Sequence, residues 1–222
     1  MKKLILFCII CLISLETITA QRAKVSQYLS LGGGFGSEQF IPTIGFGEYI
    51  SFGNNYRFSV GSGVRMTIFS AKGNTFTGLK NPYLSTTITP LTRENMVIIN
   101  APLIAEYQGN KIVAGFNVDL IGLTFGKSKD SLTINNYRGS TDNLSVKPTK
   151  FNFALGSAGS SINEVYIGLK IREEITIKAG FSFLFTKLNL RSTNEEQIAD
   201  LGKFEHNIMA IPFINLVFNF EK

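Results

Sequence analysis

Along most of the chain, large apolar residues fall on every second position, the period of a β-strand whose side chains alternate between two faces. In residues 175–190, "ITIKAGFSFLFTKLNL", Ile175, Ile177, Ala179, Phe181, Phe183 and Phe185 share one face, and Thr176, Lys178, Gly180, Ser182, Leu184 and Thr186 share the other. The run 56–69 sets Tyr56, Phe58, Val60, Val64, Met66 and Ile68 against Arg57, Ser59, Gly61, Gly63, Arg65 and Thr67. The same alternation predicts strands over 25–36, 40–52, 97–107, 114–120, 164–172 and 206–220, eight in all. Near Phe213 and Ile214 it slips, which predicts a bulge or edge defect in the last strand.

The connections carry a second pattern. Residues 53–55, 108–111 and 172–174 read as tight turns, whereas 70–95, 126–161 and 189–205 are long and polar. Short and long connections alternate, apart from a short outer one at 37–39. This is the asymmetry of an outer-membrane barrel with short periplasmic turns and long external loops. Within the second long loop, Phe151, Phe153 and Leu155 either extend a strand above the membrane or contribute to a further pair of barrel strands.

One face of these strands carries large apolar residues, and the other carries glycines, hydroxyls and a few charges. A soluble lipocalin-like barrel would turn the apolar face inward and leave an outer surface too rich in glycine and too poor in charge for water. A membrane barrel turns it outward to lipid, and only a closed barrel lets strands satisfy their backbone in hydrocarbon. The predicted fold is therefore a closed, antiparallel, up-and-down transmembrane β-barrel of eight strands with both termini in the periplasm. Glycines 32, 34, 36, 45, 47, 61 and 63 then line the lumen, where they permit tight curvature and leave room for inward side chains from the far wall.

The N-terminus agrees with export. Lys2 and Lys3 precede an apolar run from Leu4 to Leu15, and Ile18-Thr19-Ala20 suits cleavage before Gln21. This divides the chain into a signal peptide, 1–20, and a barrel domain, 21–222. Cys8 and Cys11 leave with the signal, so disulfides, thiolate metal sites and cysteine nucleophiles are not expected in the mature chain. Loss of Lys2, Lys3 and Glu16 lowers the net charge from +6 to +5. In an exported protein, scattered cations point to lipid phosphates, such as those of lipopolysaccharide, and not to nucleic acid.

The segment 96–122, "MVIINAPLIAEYQGNKIVAGFNVDLIG", resembles the central hairpin of the PorT-like outer-membrane β-barrel family of Bacteroidota, through Pro102, Leu103, Tyr107, Gly115 and Phe116. The segment "IPFINLVFNF" resembles that family's closing strand. The chain departs from the family at Asn100 and Ala101, where a carboxylate and isoleucine are common, and in placing Glu221 and Lys222 after the last aromatic residue. The resemblance implies a barrel in the outer membrane and no defined activity.

Candidate chemistry is sparse. "GGGFG" (32–36) has Ser37 where a dinucleotide fingerprint needs its third glycine, and no lysine follows as in a phosphate loop. His206, the single histidine, stands beside Glu205 near the predicted outer rim, without the positioned nucleophile that a triad requires. No catalytic residue, metal site or cofactor is assigned. The lumen-facing charges Arg57, Arg65, Glu106, Asp119, Glu164, Lys170, Arg172 and Lys178 form the candidate site. An eight-stranded interior is only wide enough for its own side chains, which favours a salt-bridged plug over an ion-selective pore. Expected pairs are Arg57 with Glu106, and Asp119 with Arg65 or Lys170. The predicted function is a monomeric, non-enzymatic scaffold in outer-membrane lipid; a narrow porin-like channel, a small-ligand transporter or a secretion-system accessory barrel are the alternatives.

Overall fold

The computed structural model describes residues 23–36, 39–71, 76–78, 87–90, 94–127, 132–135, 145–153, 159–191, 203–206 and 209–221. The predicted signal segment lies outside them. In chain order the strands are β1 (Lys24–Gly36), β2 (Gln39–Phe52), β3 (Phe58–Ala71), β4 (Phe76–Gly78), β5 (Thr87–Pro90), β6 (Glu94–Gln108), β7 (Ile112–Gly126) and β8 (Leu132–Asn135). They continue with β9 (Ser145–Pro148), β10 (Phe151–Phe153), β11 (Ser161–Lys170), β12 (Ile175–Phe185), β13 (Lys187–Arg191), β14 (Lys203–His206) and β15 (Met209–Glu221).

Eight of these close into a barrel, in the order β1, β2, β3, β6, β7, β11, β12, β15 and back to β1, with every neighbouring pair antiparallel. Their lengths run from 10 residues in β11 to 15 in β6 and β7, enough for the ~9–11 residues that a tilted strand needs to cross a bilayer. Closure leaves every long strand with two partners. The three predicted tight turns all join barrel strands at one end. Gly53 adopts φ 80°, a conformation open to glycine at no steric cost, and Asn55 and Tyr56 follow it with positive φ.

The wall alternates as the sequence does. Val64, Ile167, Phe181 and Ile214 point outward, and Ile167 is 64% exposed. This apolar band, which itself includes Phe46, Phe116 and Phe181, has further aromatic residues at its borders, Phe52, Phe58 and Tyr107 near the turns and Phe35, Phe40, Phe125, Phe151 and Phe153 at the other end. An outward apolar band with aromatic residues at both borders is the exterior of a transmembrane barrel. Among the described residues no helix is long and apolar enough to cross a membrane.

The luminal glycines serve large neighbours. A Cβ on Gly47 would lie 2.7 Å from Tyr28 Cε1, and one on Gly61 would lie 2.5 Å from Tyr49 Cδ1. Each tyrosine thus lies flat across the bare backbone of the next strand, and the two rings meet at 4.7 Å.

Two features differ from the sequence reading. The last strand is regular: β15 keeps one register against β1 from Phe213–Gly34 to Glu221–Ser26, with no bulge. Phe213 breaks the apolar-out pattern because it turns inward, 3% exposed, and packs edge-on against Tyr166 at 6.4 Å. The bulge lies instead in β7, where Pro102 pairs with Asp119 and Ala101 pairs with Ile121, leaving Leu120 as the extra residue. Pro102 has no N–H to give to the ladder, so this is the point at which a ladder bond is lost without leaving a donor unpaired.

The long connections contain a second antiparallel sheet, in the order β8, β5, β4, β14, β13, β9, at the end of the barrel away from the tight turns. β13 continues the line of β12 beyond Thr186, and His206 belongs to β14, not to the last barrel strand. Phe151 and Phe153 lie in β10, which pairs with Ile121–Leu123 of β7 above the end of the β7–β11 ladder. They cover the upper edge of β7 and do not enlarge the barrel to ten strands.

Candidate functional site

The lumen is filled in three layers. Away from the turns, Ile41, Phe69, Met96, Ile98, Ile162, Leu184 and Ile211 form a buried apolar cap. Nearer the turns, Tyr28, Tyr49, Ile104 and Val217 form a second apolar cluster. Charged and amide side chains cross the barrel among these layers, and Arg65, Glu106, Asp119, Glu164 and Lys178 are all nearly inaccessible to solvent.

Arg65, inward on β3, is the hub of one half. Its Nη2 is 2.6 Å from Asp119 Oδ1 on β7 and also donates to the Ile162 carbonyl on β11, while its Nη1 is 2.7 Å from Glu164 Oε2. The Nη1 contact is an ion pair outside hydrogen-bond angles. Asp119 lies beside the bulge, where the β7–β11 backbone ladder has run out, and its carboxylate substitutes for the ladder. Oδ2 accepts the Ile162 N–H at 2.7 Å and the Asn100 amide, while the Asp119 N–H donates to Asn163 Oδ1 at 3.1 Å.

Glu106, inward on β6, is the hub of the other half. Its Oε1 accepts from Tyr166 OH at 2.7 Å, from Tyr49 OH at 3.0 Å and from Lys178 Nζ on β12, its ion-pair partner. The Lys178 ammonium also donates to Tyr49 OH at 3.2 Å and lies 4.7 Å from the centre of the Tyr166 ring. Asn117 joins the halves: Nδ2 donates to Glu164 Oε2 at 2.5 Å, and Oδ1 is 3.1 Å from Tyr166 OH. The single hydroxyl proton of Tyr166 goes to the nearer, charged acceptor, Glu106. Three carboxylates thus face two cations, and amide, hydroxyl and backbone donors supply the remaining stabilisation. The set reaches from β2 and β3 across to β11 and β12.

The other predicted luminal charges are elsewhere. Arg57 is exposed; its φ of −73° and ψ of −19° are helical, so it belongs to the turn and not to the extended strand that starts at Phe58. The expected Arg57–Glu106 pair does not form. Arg172 is exposed in the turn after β11, and Lys170 is half-buried at the mouth, 3.3 Å from Gln108 Oε1 and away from Asp119. Tyr49 and Tyr166, the hydroxyl donors to Glu106, were not among the predicted residues; their signal was a tyrosine on the face otherwise given to small residues.

Below the network the turn end opens into a vestibule of about 800 Å³, lined by Lys24, Ser51, Gln108, Lys170, Glu173 and Glu174 among others. Two voids among the described residues of the barrel are far smaller, about 30 Å³ beside Arg65, Glu164 and Lys178 and about 10 Å³ beneath Leu184. The first holds about a water molecule or two. Among the described residues no group of three His, Cys, Asp or Glu side chains is gathered in a way that could hold a metal. For His206 the structure gives only the backbone position, opposite Phe76 in the β4–β14 pairing.

Fold and site together define an outer-membrane-type β-barrel with a network of buried charged side chains in its lumen. No family model matches the chain, and no curated protein sequence matches it. Among solved structures the chain is similar to Neisserial surface protein A (NspA), with 11% identity, a TM-score of 0.38, and coverage of 90% of this chain and 97% of that one.

Proposed function

We propose that the protein is a non-enzymatic scaffold of the outer membrane, a monomer with both termini in the periplasm, whose barrel holds the second sheet outside the cell. The observation that carries this reading is the contrast between the two faces of one wall: an apolar band outside, and a closed set of ion pairs inside. A conducting pore needs a continuous wet path, whereas the interior here narrows from the vestibule to voids the size of water. Among the described residues, Arg65, Glu106, Asp119, Glu164 and Lys178 bond within their own network and are buried away from any substrate. On this reading the likeness to PorT-like barrels is one of architecture and location.

Because both cysteines of the chain lie within residues 1–20, single cysteines introduced elsewhere report topology. Lys150→Cys is expected to react with a membrane-impermeant maleimide on intact cells, and Asn110→Cys only after the outer membrane is opened. The reverse pattern would invert the proposed orientation, and recovery of the protein in the soluble periplasmic fraction would sink the membrane assignment.

A further inference from the structure

The outer wall changes character abruptly on one side of the barrel. Up to Phe125 of β7, Phe151 and Phe153 of β10 and Phe185 of β12 it is apolar; directly above, it is cationic. Lys127 follows Phe125 by two residues, and a Cβ on the intervening Gly126 would lie 2.7 Å from Pro148 Cγ, so β9 abuts the end of β7. Val146, Pro148 and Leu188 are buried, whereas Lys147 and Lys187, on the alternate positions, are half-exposed, with Lys147 opposite Asn189 in register. Thr149 N–H donates to the Lys187 carbonyl at 2.9 Å, bringing exposed Lys150 to the same level. Lys187 Nζ is 5.3 Å from the centre of the Phe185 ring, at the upper border of the apolar band.

The segments 121–127, 145–153 and 181–191 contain Lys127, Lys147, Lys150, Lys187 and Arg191 and no aspartate or glutamate. The carboxylate residue facing them in register is Glu205, opposite Lys187. Lys187 has Glu205 opposite it, but the segments of Lys127, Lys147 and Lys150 hold no acid, and like charges so placed repel one another unless an anion lies among them. Its position at the top of an apolar wall adds a second requirement, that the anion be attached to hydrocarbon. We infer that this side of the wall binds a phosphorylated glycolipid of the outer leaflet, with phosphate oxygens on Lys147 and Lys150 and acyl chains along Phe151, Phe153 and Phe181.

This inference rests on the outer-membrane reading above. Its test uses the full barrel in detergent micelles, with a bisphosphorylated lipid A as the probe and bound lipid counted by native mass spectrometry. Lys147→Gln together with Lys150→Gln should weaken binding on the order of 30-fold. Arginine at both positions should retain it, and Lys111→Gln at the opposite end should leave it unchanged. Heat-modifiable gel mobility checks that each variant is folded. Equal binding by the double glutamine variant, or by the dephosphorylated lipid, would overturn the inference, and displacement by inorganic phosphate alone would reduce the site to one for small anions. A wild-type barrel that fails to enter lipid vesicles would instead overturn the membrane reading.

Discussion

Replacing Glu106 by glutamine keeps the shape of the side chain and removes its charge, which isolates what the buried pair contributes. Lys178 would then keep Tyr49 OH at 3.2 Å and the ring of Tyr166 at 4.7 Å, but no carboxylate. Because Lys178 is only 6% exposed, bulk water cannot reach it, and the void of about 30 Å³ that it lines has room for only a water molecule or two in place of the lost carboxylate. Stranding one member of such a pair typically costs ~3–5 kcal/mol, and the lower end applies here because the tyrosine rings continue to attract the ammonium. Adding Lys178→Met removes the stranded charge and should recover more than half of the loss, the non-additivity expected of groups in direct contact. The chain has no tryptophan, so urea unfolding in lipid vesicles is best followed by the shift in gel mobility between folded and unfolded barrel. A loss of ~1 kcal/mol or less for Glu106→Gln, as for a solvated pair, would refute the dry plug.

Three further outcomes follow from the same geometry. Arginine at Phe181, 55% exposed on the outer wall, should cost ~2–4 kcal/mol in a bilayer, whereas leucine there should be nearly neutral by the same urea titration; equal effects would reverse the faces. Gly61→Ala forces its Cβ to within 2.5 Å of Tyr49 Cδ1 and 2.6 Å of the Glu48 carbonyl and should destabilise by ~1–3 kcal/mol, while Gly36→Ala, whose Cβ meets the Gln39 side chain no closer than 3.2 Å, should be mild. Asp119→Asn should loosen the seam above the β7–β11 ladder, seen as faster amide exchange at Ile162, whose N–H bonds Asp119 Oδ2 at 2.7 Å; unchanged exchange would mean that the ladder does not depend on the carboxylate.

Period-two alternation was enough to read eight barrel strands, three turns and the outward and inward faces, because that period is intrinsic to a strand and the two solvents differ so strongly. It also placed Arg65, Asp119, Glu106 and Lys178 on the inner face. Partners were harder to read. Glu106 meets Lys178 from β12, 72 residues away, and that meeting depends on closure and strand stagger, which no local window contains. Arg57 was misread because the positive φ at Asn55 and Tyr56 continues the turn for one residue beyond the last apolar position. Phe213 looked like a fault in the pattern for the opposite reason: a large inward residue is permitted where Gly34 and Gly180 face it in register. The outer sheet was hidden because its strands of three to five residues are too short to establish a period.

Single-channel recording in a planar lipid bilayer tests most directly whether the luminal ion pairs close the barrel. The purified barrel should insert and give no discrete conductance steps. Glu106→Gln combined with Lys178→Gln, which removes both charges of one pair and leaves polar groups in their place, should at most produce brief openings. Steady, ion-selective steps from the unaltered protein would contradict a plugged lumen and make the barrel a channel.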